Sequence, residues 1–249
     1  MSEKSLYDLE TEQIGKMFDC KNYLLKNSKH EKVILENEFG TKMIRHTLYK
    51  PADVSVYQKL ARINNPFLCR IYEISQNDKA FVIYEEYCEG MTLTEYVNGG
   101  TLSKYTAVNI VCCICQGLYA LHSSGIVHRD IKPDNIIICD DNNVKIIDFD
   151  ISKIYKTDKN ADTQVLGTVG FAAPEQFGLQ QSDARTDIYS LAILLNVLIT
   201  GEHPSIKLCE NKKLLKIIKK CLSINPDDRY RSAEELFKAL DKVRRRLKK

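Results

Sequence analysis

Four side chains with the means to handle a phosphoryl group lie close together in this chain. Asp130, Lys132 and Asn135 fall in Val127-His128-Arg129-Asp130-Ile131-Lys132-Pro133-Asp134-Asn135, and a second carboxylate, Asp148, opens Asp148-Phe149-Asp150. A carboxylate such as Asp130 can orient a hydroxyl and take its proton, and an ammonium such as Lys132 can reach a phosphate. Amide and carboxylate oxygens, as on Asn135 and Asp148, are the hard donors that Mg²⁺ on a nucleotide prefers. Phosphoryl transfer needs little covalent help, so such a site works by positioning groups and neutralising charge. Ile136-Ile137-Ile138 and Val144-Lys145-Ile146-Ile147 read as strands around the turn Cys139-Asp140-Asp141-Asn142-Asn143. Asn135 therefore leaves one side of a hairpin and Asp148 follows the other, so both can face one ion.

The elements that must hold these residues follow a simple order. Three strands are expected at Asn22–Lys26, Lys32–Glu36 and Lys42–Leu48, after a lead that is helical around Leu6 to Met17. The turns between them are Asn27-Ser28-Lys29-His30-Glu31 and Asn37-Glu38-Phe39-Gly40. Val54 to Ile63 has apolar residues at helical spacing and stops before Asn64-Asn65-Pro66; Arg70–Ser75 and Ala80–Glu86 read as two more strands. Beyond Thr92 the pattern is mainly helical: Thr106 to His122, Asp187 to Thr200 closed by Gly201, Leu214–Leu222 and Ala233–Leu247, with a loop-rich stretch over 151–185. Strands first and helices after predict an α+β fold of two lobes with a cleft between them, the first small and β-rich, the second larger and mainly helical. The boundaries fall at a lead of residues 1–20, a first lobe of 21–87 and a second of 88–249.

Bulk properties narrow the classes. The chain has 249 residues, 44% hydrophobic and 28% charged, as expected of a soluble globular protein. A net charge of only +3 speaks against nucleic acid as the main partner, and the basic run Lys242 to Lys249 reads as a solvated helix end. Nine cysteines are scattered without a disulfide framework, and Cys112-Cys113-Ile114-Cys115 sits in a helical pattern with no second ligand pair. Reduced thiols predict a cytoplasmic protein. The N-terminus lacks a signal-peptide pattern, and the longest apolar run, Ile188 to Ile199, is too short to span a bilayer.

These stretches together resemble the eukaryotic-type serine/threonine protein kinases, in a short form like those of bacteria, over roughly residues 20 to 240. His128-Arg129-Asp130 through Asn135 fits the catalytic-loop pattern H-R-D-x-x-x-x-N, and Asp148-Phe149-Asp150 fits D-F-G with its last residue changed. The resemblance implies ATP and Mg²⁺ as cofactors, Asp130, Lys132 and Asn135 as catalytic residues, and Asn135 and Asp148 as metal ligands. It also implies a hinge at Glu86-Tyr87-Cys88 that holds adenine by backbone groups, and a protein substrate docked along Gly167-Thr168 to Ala173-Pro174-Glu175. Asp187 is similar to the aspartate that braces the catalytic loop, and Arg229 to the partner of Glu175. Arg129 is the feature that meets a phosphorylated segment in the family; Ser152, Thr157, Thr163 and Thr168 are the hydroxyls near it, with Thr168 better suited to the docking wall. Regulation by autophosphorylation or a partner follows.

The first lobe departs from the family. Its first turn has no glycine to bring backbone N–H groups close to phosphate, so it is either an ordinary hairpin turn or one that compensates through Lys29 or His30. Counting from the Gly40 turn puts Arg45 where the third strand should carry lysine, while a gapless count back from Pro66 favours Glu36. The helix after it offers Ser55-Val56-Tyr57-Gln58 in place of a glutamate, and Asp53 serves equally as an N-cap. Glu85 stands where an apolar residue is usual. A carboxylate there needs a partner, and Arg45 is the expected one, the alternative being a side chain turned to solvent. The reading is a kinase acting on Ser or Thr, with a nucleotide-binding scaffold of little or no transfer activity as the alternative.

Overall fold

The computed structural model describes residue 14 and residues 17–155, 167–177 and 181–248. Most of the expected helix at Leu6 to Met17 lies outside them, as do Thr157 and Thr163. The chain divides into two units, Met1–Asn64 with Cys69–Cys88, and Asn65–Leu68 with Glu89–Lys249. The first is β-rich and the second mainly helical.

Among the described residues, the first unit is built on one antiparallel sheet with a short helix after its third strand. Strands β1 (Phe18–Lys26), β2 (His30–Asn37) and β3 (Lys42–Tyr49) precede helix α1 (Ser55–Leu60), and β4 (Ile71–Gln76) and β5 (Ala80–Glu86) complete the sheet in the order β1-β2-β3-β5-β4. Alternate side chains point to opposite faces. One face buries Val33, Leu35, Val82 and Tyr84 with Ile14, Phe18 and Met43. α1 lies against the other face, where its Tyr57 meets His46 with ring centroids 5.6 Å apart. α1 is shorter than its apolar spacing suggests. The N-cap is Val54 and not Asp53, whose Oδ1 accepts the Ser55 N–H at 2.8 Å from one position earlier, and tight turns at Arg62 and Ile63 end the helix before Pro66.

The second unit opens with β6 (Gly90–Thr92) and α2 (Leu93–Val97), whose N-cap Thr92 forms a capping box with Glu95. Helix α3 (Lys104–Ser123) follows, then β7 (Ile126–Val127), β8 (Ile136–Cys139), β9 (Val144–Ile146) and β10 (Lys153–Ile154). β6, β8 and β9 form one sheet, and β7 pairs with β10. Helices α4 (Ala184–Thr200), α5 (Lys212–Cys221) and α6 (Ala233–Leu247) complete it. α4 starts before Asp187 because Asp183 and Thr186 make a capping box, and Gly201 in the left-handed region (φ 75°) closes it.

α3 is long and apolar enough to cross a membrane by length and composition, which the expectation of Ile188 to Ile199 as the longest apolar run did not anticipate. Here it is a core helix, with Val108, Ile114, Leu118 and Leu121 fully buried. Gly117 lets it approach β9 closely: a Cβ there would meet Ile146 Cδ1 at 2.9 Å. Buried Asn196 on α4 spends its amide on Thr200, Glu202 and Lys207 and accepts the Cys209 N–H at 3.0 Å, which anchors the loop after the helix.

Among the described residues of this unit, the most buried ion pair is Glu175–Arg229. Arg229 Nη1 and Nη2 donate to the two carboxylate oxygens at 2.7 and 2.9 Å, and Thr186 Oγ1 donates to Oε1 at 2.9 Å. The remaining guanidinium protons go to the carbonyls of Ser223, Arg185 and Ile224. A buried pair this well satisfied is costly to break from one side. Arg229→Leu should lose about 3–5 kcal/mol in urea denaturation, and adding Glu175→Leu should recover part of that loss. A single variant as stable as wild type would contradict this.

Candidate active site

Asp130, Lys132, Asn135 and Asp148 all belong to the second unit. The loop between β7 and β8 is held from beneath by Asp187 on α4. Asp187 Oδ1 accepts the Arg129 N–H at 2.8 Å, while Oδ2 accepts the His128 N–H at 2.9 Å and binds His122 Nε2 at 2.8 Å. Burial pushes the Asp187 carboxyl up, but the His122 hydrogen bond, the nearby histidines and the His128 N–H outweigh it and hold it below the usual carboxylate range. Arg129 takes a positive φ of 69°, which is uncommon for a side chain of its size. It is fixed there on three sides: Asp187 takes its N–H, Gln176 Nε2 donates to its carbonyl at 2.8 Å, and its own Nε donates to Ile151 O at 2.7 Å. Ser152 Oγ donates to the His128 carbonyl at 3.1 Å, so that hydroxyl takes part in the same support.

His128 ties this loop to the strand before Asp148. Its Nδ1 accepts the Asp130 N–H at 3.3 Å, which leaves Nε2 to donate to Ile147 O at 3.2 Å, and its ring meets buried Phe149 edge-on at 5.3 Å. The Ile147 N–H also donates to Asn135 O at 3.0 Å. Asp148, next in sequence, has a φ of 65°.

Asp130, Lys132, Asn135 and Thr168 form one connected network. Lys132 Nζ lies 2.8 Å from both Asp130 Oδ2 and Thr168 Oγ1, and Thr168 Oγ1 donates to Asp130 Oδ1 at 2.7 Å. Asn135 Nδ2 donates to the Asp130 carbonyl and to Oδ2, each at 2.9 Å. Burial raises the Asp130 carboxyl, but the hydrogen bonds from Lys132 and Thr168 and the Lys132 charge bring it below its ordinary value. Asp130 is therefore an anion at neutral pH, able to accept a hydroxyl proton. Both amide protons of Asn135 are spent on Asp130, so its oxygen remains as a ligand atom. Amide and carboxylate oxygens, as on Asn135 and Asp148, are the donor types that could hold Mg²⁺.

In the first unit the structure corrects the expectations for Arg45 and Glu85. Arg45 does not pair with Glu85. On β3, Arg45 lies opposite Val33 and Tyr84, on the face of the Val33 cluster, and its Nη2 reaches Glu31 Oε1 at 3.4 Å. Glu85 lies opposite Ile44, one position away, so pleat parity sends it to the other face. There it is buried and bonds His46 Nδ1 at 3.0 Å, with Tyr57 of α1 at 3.4 Å from the same nitrogen. Glu85 is thus not turned to solvent, and the β3 residue that faces the helix is His46. The backbone of the first turn is that of an ordinary hairpin turn: Asn27 Oδ1 accepts the Lys29 and His30 N–H groups at 2.8 and 2.9 Å. In the expected hinge, the Glu86 N–H donates to Arg70 O at 2.8 Å and the Cys69 thiol donates to Glu86 O at 3.3 Å. Cys88 is half-buried just beyond β5.

Sequence reading missed His46, His122, His128 and Gln176 as positioning residues. His46 had a visible signal, since it is one residue from the position counted. Gln176 had only its place after Glu175.

Residues 37–230 match the protein kinase domain family. The chain is 31% identical over 246 residues to the serine/threonine-protein kinase PknB of Mycolicibacterium smegmatis, covering 84% of this chain and 39% of the relative. It is 34% identical over 181 residues to the serine/threonine-protein kinase PrkC of Bacillus subtilis, covering 70% and 28%, and 30% identical over 210 residues to a probable serine/threonine-protein kinase of Clostridium perfringens, covering 75% and 31%. The chain thus spans well under half the length of these curated relatives.

Two predictions follow from this geometry. His46→Phe and Glu85→Gln should couple by about 1 kcal/mol or more in a double-mutant cycle of stability, while Arg45→Met and Glu85→Gln should add within about 0.5 kcal/mol; the reverse would refute the assigned register. Asp187→Asn should cost about 2–3 kcal/mol at neutral pH, because hydrogen bonds to a buried charge are lost. The folded value of Asp187 lies below its unfolded value of about 3.9, so its contribution is complete above about pH 5 and is lost as pH falls through the folded value. The gap between wild type and Asp187→Asn should therefore hold from pH 8 to 5 and narrow in acid; a gap that widens in acid would overturn the assignment.

Proposed function

The chain belongs to the eukaryotic-type serine/threonine protein kinase domain family, and on that premise we propose that it transfers the γ-phosphoryl group of ATP to Ser or Thr hydroxyls of a protein substrate. The observation that carries this is the network of Asp130, Lys132, Asn135 and Thr168. Asp130 Oδ1 already accepts a threonine hydroxyl, the group that a substrate would present. In transfer, the substrate oxygen forms its bond to γ-phosphorus as the bond from that phosphorus to the bridging oxygen of ADP breaks, and Asp130 takes the hydroxyl proton. Lys132 supplies positive charge beside the transferred group. Asn135 and Asp148 would hold Mg²⁺, which when bound neutralises charge on the phosphates. Thr168, with the segment to Glu175, would line the substrate-docking side.

In the first unit, the family's role for the third-strand lysine falls to His46 in place of Arg45, and adenine contacts fall to the backbone of Glu86 and Cys88. Two observations favour a second reading, a nucleotide-binding scaffold: the first-turn amides are taken by Asn27, and His46 is committed to Glu85. Nine free cysteines suit a reducing compartment such as the cytoplasm, and regulation through autophosphorylation or a partner fits the segment that Arg129 supports.

The test is transfer of labelled γ-phosphate from ATP with Mg²⁺ to the protein itself and to a basic protein substrate. Incorporation on Ser or Thr that falls about 10²–10⁴-fold in Asp130→Asn is the expected result. No incorporation, with ATP still raising the melting temperature, would replace the kinase reading with the scaffold.

A further inference from the structure

A second set of ligating side chains lies in the first unit and has a different chemistry. The thiols of Cys69 and Cys88 and a carboxylate oxygen of Glu86 all lie within 4.8 Å of one another. β4 and β5 bring them together: Cys69 stands just before β4, Glu86 ends β5 and Cys88 follows it, and the strands pair antiparallel with Ile71 opposite Glu85. The three groups therefore close the open end of the β4–β5 hairpin. Backbone bonds hold them in place. The Arg70 N–H donates to Glu86 Oε2 at 3.1 Å, Glu86 N–H donates to Arg70 O at 2.8 Å, and the Cys69 thiol donates to Glu86 O at 3.3 Å. Cys69 is buried, while Cys88 and Glu86 are half-buried, so an ion can reach the cluster from one side.

We propose that Cys69, Cys88 and Glu86 form a binding site for a thiophilic divalent cation, zinc above all. Around tetrahedral zinc, with Zn–S of about 2.3 Å and Zn–O of about 2.0–2.2 Å, ligand atoms stand roughly 3.4–3.8 Å apart, and the three ligand atoms here all lie within 4.8 Å of one another. Two thiolates select zinc over Mg²⁺, in contrast to the hard oxygens of Asn135 and Asp148. The Arg70 N–H orients the carboxylate as an outer-shell partner does. Three protein ligands leave the fourth position to water, so the ion is exchangeable. On binding, each thiol gives up its proton to solvent and forms a sulfur–metal bond, with no change of oxidation state. The ion would tie together the two points at which the chain passes into and out of Cys69–Cys88. The ligating atoms are side-chain atoms, whereas the adenine contacts proposed above are backbone groups of Glu86 and Cys88, so ion binding is measured apart from phosphoryl transfer.

The probe is Co²⁺, added to the reduced, chelator-treated full chain in excess Mg²⁺ and read by thiolate-to-cobalt absorption in the near ultraviolet and by tetrahedral visible bands. One equivalent should bind and be displaced by Zn²⁺, and Cys69→Ser, Cys88→Ser and Glu86→Gln should each weaken binding about tenfold or more. Cys113→Ser should leave it unchanged. A second measurement needs no variant: zinc should protect Cys69 and Cys88, but not exposed Cys20, from alkylation mapped by mass spectrometry in the wild-type protein. Absence of the thiolate band, a band that survives loss of both Cys69 and Cys88, or equal alkylation with and without zinc would overturn the site.

Discussion

The arrangement of the second unit depends on one buried carboxylate. Asp187 receives two successive backbone N–H groups, from His128 and Arg129, and a side-chain bond from His122. Each of those donors would otherwise be buried without a partner, at a cost of about 1–3 kcal/mol apiece. Satisfying them on a long helix lets the loop keep Arg129 at a positive φ and present Asp130 at a set height above the core. The capping box at Asp183 and Thr186 fixes where α4 begins, and so where Asp187 stands relative to the loop.

Above that support, charge is arranged so that no group of the site stands alone. Lys132 and Thr168 hold Asp130 as an anion, and Asp130 in turn orients the amide of Asn135. His128 spends one ring nitrogen on the Asp130 backbone and the other on Ile147, so Asp130 and the strand leading to Asp148 are linked through one imidazole. The segment around Glu175 is bound to the same helix through Thr186, while Arg229 takes the Glu175 carboxylate from outside that helix and Gln176 reaches the Arg129 carbonyl. Support for the loop and for the docking segment thus converges on the first turn of α4.

The β-rich unit shows how strongly pleat parity governs which side chains can meet. Arg45 and His46 are neighbours in sequence, yet one joins Glu31 on the Val33 face and the other joins Glu85 and Tyr57 on the helix face. Moving the count by one residue exchanges an arginine for a histidine at the position that faces α1. The same unit holds the thiols of Cys69 and Cys88 at the open end of the β4–β5 hairpin, while the oxygens of Asn135 and Asp148 belong to the helical unit, so soft and hard side chains are separated in place.

The sequence by itself determined the α+β class, the β5 and α6 boundaries, the hairpin between Asn135 and Asp148, and the chemical types of the site residues. Those features are local: they rest on period, turn residues and short fixed spacings, which side-chain sterics and backbone hydrogen bonding enforce within a few residues. Only tertiary structure decided that Glu85 partners His46, that His122 bonds Asp187, that Gln176 holds the Arg129 carbonyl, and that Cys69 and Cys88 meet. Each of these joins residues far apart in the chain, and the first depends on a strand register in which a single-residue slip reverses the face. Hydrophobic alternation in the nearly fully buried β5 is too weak to choose between such registers, because both of its faces are apolar.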